Sequence, residues 1–196
     1  MNPQPVILEG SHVRLESLDL SHAEDLYVVG SDERIWLYMP RPKLTSVADA
    51  HEMIRAAKTA AADGSQIPFA IIERKSGRAI GSTRYLDIRR EDRGLEIGWT
   101  WLGTAYHRTP INTECKYLLL RHAFETLRAM RVQLKTDLRN ERSQKAIERL
   151  GAIREGVLRK HMILWDGFVR DTVFYSILDD EWPDVRRQIE ALLERA

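Results

Sequence analysis

Arg108-Thr109-Pro110-Ile111-Asn112-Thr113-Glu114, running on into Lys116-Tyr117-Leu118-Leu119-Leu120-Arg121-His122-Ala123-Phe124, follows directly after the apolar run Leu95 to Leu102. That order predicts a strand, a tight turn and the start of an amphipathic helix. A helix start leaves its first backbone N–H groups without intrahelical partners and aims them at one spot, which suits an anionic ligand.

Further along, Val132-Gln133-Leu134-Lys135-Thr136-Asp137 alternates like a strand. Asn140-Glu141-Arg142-Ser143 then opens a second helix, whose apolar positions Ala146, Ile147 and Leu150 recur at helical spacing before Gly151 stops it. Two helix openings therefore follow two strands.

The flanks supply the rest of the domain. Val13 to Leu18 alternates like a half-buried strand, and Ser21-x-x-Glu24 reads as a capping box opening a helix. Ile35 to Pro42 reads as an ordered loop; Ser46-x-x-Asp49 opens an alanine-rich helix that Gly64 closes. Ile67 to Glu73, Ala79 to Asp87 and Leu95 to Leu102 form an antiparallel meander, with Lys75-Ser76-Gly77 as a hairpin turn. Lys160 to Leu164, the turn Asp166-Gly167 and Thr172 to Ile177 make a second hairpin. In the tail, Trp182, Val185, Ile189, Leu192 and Leu193 share one helical face and should pack back on the domain. The expectation is one α/β (α+β) domain over residues 1–196, a mixed, mostly antiparallel sheet with helices on both faces.

Composition narrows the classes. With 196 residues, 43% of them hydrophobic, the chain can bury a core without metals or cross-links. The single cysteine, Cys115, has no internal partner; no apolar run approaches the ~20 residues of a bilayer span, and the first residues lack a secretory pattern. A cytoplasmic protein without membrane attachment is expected. Thirty basic and 29 acidic residues are interspersed, which argues against nucleic acid as a partner. His122 and His161 have no metal-ligand spacing, so no metal is expected. Cys115 lies in a first helical turn, where the dipole lowers a thiol pKa, but no histidine is placed near it, so it reads as a buried bystander.

Glu96-Ile97-Gly98-Trp99-Thr100-Trp101-Leu102, the two helix openings and Glu155-Gly156-x-Leu158-Arg159 occur in an order that resembles the GNAT acyltransferases, in particular their RimJ/RimL-like branch, over roughly Leu8 to Val185. The resemblance implies a splayed central strand pair and direct transfer of acetyl from acetyl-CoA to a primary amine, either a protein N-terminus or a small molecule. It also implies that the first two helices and the loop between them form one wall of the acceptor site. Such chemistry needs a neutral amine and a proton for the departing thiolate.

Glu96 is the candidate base. Strand alternation puts Glu96, Gly98 and Thr100 on one face and Leu95, Ile97, Trp99 and Trp101 on the other. The competing role for Glu96 is an ion pair with Arg84, Arg89 or Arg93. Ser143 is the candidate partner of the thiolate: if Asn140 caps the helix, the Ser143 hydroxyl emerges at the positive end of the dipole. The alternative is that both residues only start the helix.

By the same resemblance, Trp99, Thr100 and Trp101 pair with the pantetheine arm, although core filling competes for at least one tryptophan, and Asn140 and Ser143 contact the arm and sulfur. Arg108, Thr109, Asn112 and Thr113 would hold the pyrophosphate. Here the chain departs from the family, because its loop has no glycine and Pro110 offers no donor. The departure bears on coenzyme affinity, and it motivates the alternative of a catalytically weak acyl-CoA- or peptide-binding sensor. Trp36, Tyr38, Tyr85 and Asp87 are the candidate acceptor contacts, and their aromatic and acidic character suggests a cationic or amphipathic acceptor. Pairing through the second hairpin is a route to a homodimer.

Overall fold

The computed structural model describes residues 1–195. One eight-stranded sheet runs through it in the order β1-β2-β3-β4-β5-β6-β8-β7. Its strands are β1 (Leu8–Glu9), β2 (Val13–Ser17), β3 (Ile67–Glu73), β4 (Ala79–Arg89), β5 (Gly94–Leu102), β6 (Arg131–Asp137), β7 (Ile153–Ile163) and β8 (Val169–Leu178). Neighbours are antiparallel except β5 and β6, which run parallel. The helices are α1 (Ala23–Gly30), α2 (Val47–Ala60), α3 (Pro110–Arg121), α4 (Glu141–Arg149) and α5 (Trp182–Glu194).

Two cores form, one on each face of the sheet. Leu15, Phe69, Tyr85, Leu95, Ile97, Leu118, Leu119, Val132, Tyr175 and Ile189 belong to the one containing α3 and α5. Leu26, Trp36, Ile54, Ala70 and Trp101 belong to the one beneath α1 and α2. The mixed, mostly antiparallel sheet with helices on both faces matches the expected class. α3 is less amphipathic than its sequence suggests: every residue from Thr113 to Leu120 is buried. Its outer side is covered as well. Glu114 accepts from the backbone amides of Ser11, His12 and Val13 at 2.7, 2.7 and 2.8 Å, and the Tyr117 hydroxyl donates to Glu190 of α5.

The helix starts follow local capping chemistry with one revision. Ser46 and Asp49 exchange side-chain and backbone hydrogen bonds at the start of α2, as expected. Before α1 the box is instead Asp19 with His22: Asp19 accepts from the Ser21 amide, and the His22 ring accepts from the Asp19 amide. Ser21 thus lies inside the turn. β7 begins at Ile153, well before Lys160. Its early residues are exposed at the sheet edge, so they carry no apolar alternation to read.

One irregularity reorganises the centre of the sheet. Ser82 faces Trp101 and Arg84 faces Gly98, so Trp99 and Thr100 together oppose Thr83. This is a bulge, and Trp99 takes a left-handed φ of +50° within it. The extra residue reverses side-chain parity. Leu95 and Ile97 stay in the α3-side core, but Trp101 turns into the other core against Trp36, ring centroids 4.9 Å apart. Thr100 turns toward α3 and accepts from Lys116 Nζ at 2.6 Å. The expected grouping of Thr100 with Glu96, and of Trp101 with Leu95 and Ile97, is therefore corrected beyond Gly98.

Candidate active site

β5 and β6 pair only at Gly94–Arg131, Leu95–Val132 and Glu96–Gln133. Beyond that point β6 continues against β8 as far as Asp137–Thr172, and β5 has no strand partner on its β6 side among the described residues. The sheet thus opens into a cleft bordered by the backbone of Ile97 to Leu102, whose outward N–H and C=O groups require partners from elsewhere.

Glu96 stands at the point of divergence and is only 1% exposed. Its Oε2 accepts from Gln133 Nε2 at 2.9 Å and pairs with Lys135 Nζ at 2.9 Å. Its Oε1 accepts no hydrogen bond from the described residues and faces the bare backbone of Gly98, where a Cβ would lie 2.6 Å from it. An ion pair exists, but not with the arginines considered from sequence. Arg89 pairs with Asp87 at 3.5 Å, Arg93 donates to the Arg128 carbonyl, and Arg84 meets Gln66 and the Trp99 ring.

The two helix openings meet beside the cleft. Thr109 caps α3, its Oγ1 accepting from the Ile111 amide, with Pro110 in the first turn where a missing N–H costs nothing. Arg108 precedes it, exposed and at φ +62°. On α4, Asn140 Oδ1 accepts from the Ser143 amide at 3.1 Å, so the expected cap is present; the Ser143 hydroxyl makes no hydrogen bond with the described residues. Arg142 NH1 donates to His107 Nδ1 at 3.0 Å, joining the first turn of α4 to the loop before α3. Burial and the Arg142 charge hold His107 below the usual imidazole value, consistent with that ring acting as acceptor at Nδ1 and donor from Nε2 to the Leu102 carbonyl. Thr113 is not free to meet a ligand: it is buried, and its hydroxyl accepts from Arg149 at 2.7 Å. Cys115 is wholly buried, and burial pushes its thiol up to about 12, outweighing any helix-start effect.

The four acceptor-wall residues divide. Tyr38 is half-buried, 5.5 Å from the Arg139 guanidinium, and Asp87 is exposed at the end of β4. Tyr85 lies on the opposite face of the sheet, fully buried, its hydroxyl donating to the Leu119 carbonyl at 2.5 Å. Trp36 is 2% exposed, packed on Trp101 with its indole N–H donating to the Gly30 carbonyl at 2.7 Å. Tyr85 and Trp36 are accordingly core residues, because their surfaces are already used. Trp101 likewise fills the core, leaving only its backbone for the cleft.

Gln133 and Lys135 were not identified from sequence, nor was Lys116 beneath Thr100. Gln133 and Lys135 alternate with the apolar residues of β6, a pattern that marks them as facing away from α3. Which strand they would face was set by sheet order. Burial lowers the Lys116 ammonium to about 8. Among the described residues no group of three His, Cys, Asp or Glu side chains is arranged to hold a metal ion, and no helix is long and apolar enough to cross a membrane.

Comparison with known proteins meets this geometry at several points. The uncharacterized N-acetyltransferase p20 of Bacillus licheniformis is 27% identical over 168 residues, 86% of this chain and 93% of that one. A crystal structure from T. thermophilus, assigned as an acetyltransferase, is 41% identical with a TM-score of 0.89, covering 98% of this chain and 100% of that one. A GCN5-related N-acetyltransferase from Brucella melitensis is 29% identical with a TM-score of 0.92, over 98% and 87% of the two chains. The family model for the acetyltransferase (GNAT) domain matches residues 12–153. The opened sheet, the paired helix starts and this match together place the chain in the GNAT family, as an acetyl-CoA-dependent acetyltransferase.

Proposed function

We propose that the chain transfers acetyl from acetyl-CoA to a primary amine by direct attack, with Glu96 as base and Ser143 as proton donor to the leaving thiolate. The observation that carries this reading is the parting of β5 from β6 immediately after Glu96 and Gln133, with both helix openings beside it. The pantetheine amides pair with the free β5 edge near Trp99 and Thr100, while the first-turn amides of α3, the Thr109 and Asn112 region and the exposed Arg108 receive the pyrophosphate. Arg142, at the first turn of α4, adds a guanidinium where the family's glycine-rich loop would otherwise supply backbone donors.

Glu96 Oε1 takes a proton from the acceptor ammonium while Gln133 and Lys135 hold Oε2 in place. The freed nitrogen lone pair forms the C–N bond to the thioester carbonyl carbon. The adduct's nitrogen sheds its second proton to solvent as the tetrahedral carbon collapses and the C–S bond breaks, and Glu96 returns the first proton to solvent before the next turnover. Ser143 then donates its proton to the sulfur and recovers one from solvent, giving the amide and free coenzyme A. A protein N-terminus or a small amine fits this scheme, as in the RimJ/RimL-like branch. The exposed apolar side chains of the β7–β8 hairpin, Ile163 and Trp165 among them, offer the surface for a homodimer.

The test is free-thiol release from acetyl-CoA over a panel of amines, with Glu96→Gln compared to the parent. A base of this kind contributes about 10²- to 10⁴-fold, so the variant should lose rate by that order while its thermal shift with coenzyme A persists. A coenzyme-induced shift in the parent without turnover of any amine would favour the sensor reading, to which the glycine-free loop points.

A further inference from the structure

The face of the sheet that carries Glu96 also holds two guanidiniums, those of Arg41 and Arg84, that form no ion pair among the described residues. Arg84 stands directly across from Gly98, two residues along β5 from Glu96, and is 7% exposed. Its only hydrogen-bond partner among the described residues is Gln66 Oε1, at 3.1 Å, and its Nε is buried with none. Arg41, from the loop after Trp36, has a buried NH1 in the same condition. Each lies over an indole, Arg84 at 4.5 Å from the Trp99 ring centroid and Arg41 at 5.1 Å from that of Trp36. Among the described residues neither has a carboxylate within ion-pairing distance. Asp49 and Glu52 act on Arg41 only from further off, and Arg84 feels no acid, only the like charge of Arg41.

A buried, unpaired guanidinium such as that of Arg84 is among the costliest groups a fold retains, and the like charge of the part-buried Arg41 adds to the cost. Burial and the Arg41 charge push the Arg84 guanidinium down to about 10, the direction expected for a cation lacking its counterion. A third arginine, Arg170, is equally buried with an orphaned Nε, but Asp137 and Glu96 partly offset it. The imbalance is therefore concentrated on the Arg41 and Arg84 side. Indole faces hold guanidinium planes flat while leaving their N–H edges free for a carboxylate or phosphate.

We infer that Arg41 and Arg84 form an anion subsite for the acceptor, so that the preferred substrate is a small primary amine carrying a carboxylate or phosphate a few bonds from its nitrogen. This deepens the proposed function and rests on Glu96 marking the place of the reacting amine. Two residues of strand separate Glu96 from the position opposite Arg84, about 7 Å, which suits a compact acceptor. It narrows the cationic or amphipathic acceptor suggested by the wall from Trp36 to Pro42 with Tyr85 and Asp87 to one whose ammonium is accompanied by an anion, and it moves the recognition away from Trp36 and Tyr85, which lie in the core.

The experiment compares acceptors matched except for the anion: glycine with glycinamide, β-alanine with β-alaninamide, O-phosphoethanolamine with ethanolamine, together with a short peptide amidated at its C-terminus. Thiol release should favour anionic members by tenfold or more in kcat/KM, and the carboxylate and phosphate pairs tell the two anions apart. In Arg84→Gln and Arg41→Gln that ratio should collapse through KM, with Arg84→Lys recovering part of it, while the coenzyme A thermal shift reports an intact fold. Calorimetric titration of N-acetyl-β-alanine and its amide into the protein with coenzyme A gives the same comparison without turnover. Amines acetylated with no anion preference, or a preference untouched in both variants, overturn the subsite and leave the acetyltransferase reading standing. Failure of every amine alongside Arg84-dependent binding of the N-acetylated carboxylate does the reverse. A drop in melting temperature of Arg84→Gln with an unchanged ratio would mark the guanidinium as structural only and defeat the inference.

Discussion

Gly98 and Glu96 share one face of β5, and a single methyl on Gly98 would stand 2.6 Å from Glu96 Oε1 and 3.0 Å from Leu86 Cδ2. The absent side chain leaves open the approach to the carboxylate oxygen that has no hydrogen-bond partner. Gly98→Ala must therefore push the carboxylate off the Gln133 and Lys135 contacts or obstruct the amine. A fall in kcat of about tenfold or more is expected, with coenzyme A binding preserved, since misplacing a catalytic group by even an ångström is costly. Steady-state kinetics beside a coenzyme titration measures both; an unchanged kcat would remove Glu96 from the chemistry.

Ser143 is capped in place by Asn140, yet its hydroxyl has no partner among the described residues. Ser143→Ala should lower kcat by about 10- to 100-fold, less than loss of the base, because water substitutes for a proton donor more readily than for a positioned carboxylate. Asn140→Ala should cost about 1 kcal/mol of stability through the lost cap. Chemical denaturation separates the two effects: Ser143→Ala should leave the midpoint nearly unmoved.

Lys116 is buried beside Thr100, with the neutral Cys115 thiol and the Glu96 carboxylate nearby, and burial lowers its ammonium to about 8 from an ordinary 10.5. Between these values the unfolded chain binds the proton and the folded one does not, so this group makes stability rise with pH across that window. Its favourable contribution is complete above 10.5 and is lost as pH falls to about 8. Lys116→Met should flatten this segment. Urea midpoints at pH 7.5, 9 and 10 for parent and variant check it; parallel curves would show that the lysine titrates normally.

Glu114 gathers the amides of Ser11, His12 and Val13 and ties the first strands to α3. Glu114→Ala leaves these donors without their carboxylate, an expected loss of about 3 kcal/mol or more, as for buried hydrogen bonds to a charged group. Loss of amide-exchange protection at Val13 to Leu15 should accompany it. A loss under about 1 kcal/mol would mean water replaces the carboxylate.

How much was legible in the chain follows the range of the forces involved. Caps at Ser46 and Asn140, the turn at Lys75 to Gly77 and the tail helix depend on residues within a few positions of one another, so they could be read directly. So could the sequence order of strands and helices, and with it the family. Partnership could not. Which residue Glu96 meets depends on β5 lying beside β6, a pairing between segments 37 residues apart, and Lys135 became its counterion only through that register. The Trp99 bulge arises because two residues of β5 oppose one of β4, and one extra residue in a strand flips every side chain after it. That flip sends Trp101 into the core and Thr100 toward Lys116. Sheet parity buries Tyr85 on the far face and leaves Arg84 enclosed on the near one. Local chemistry set which elements form and in what order; the faces they present, and therefore the charges at the site, were decided when distant strands came into register.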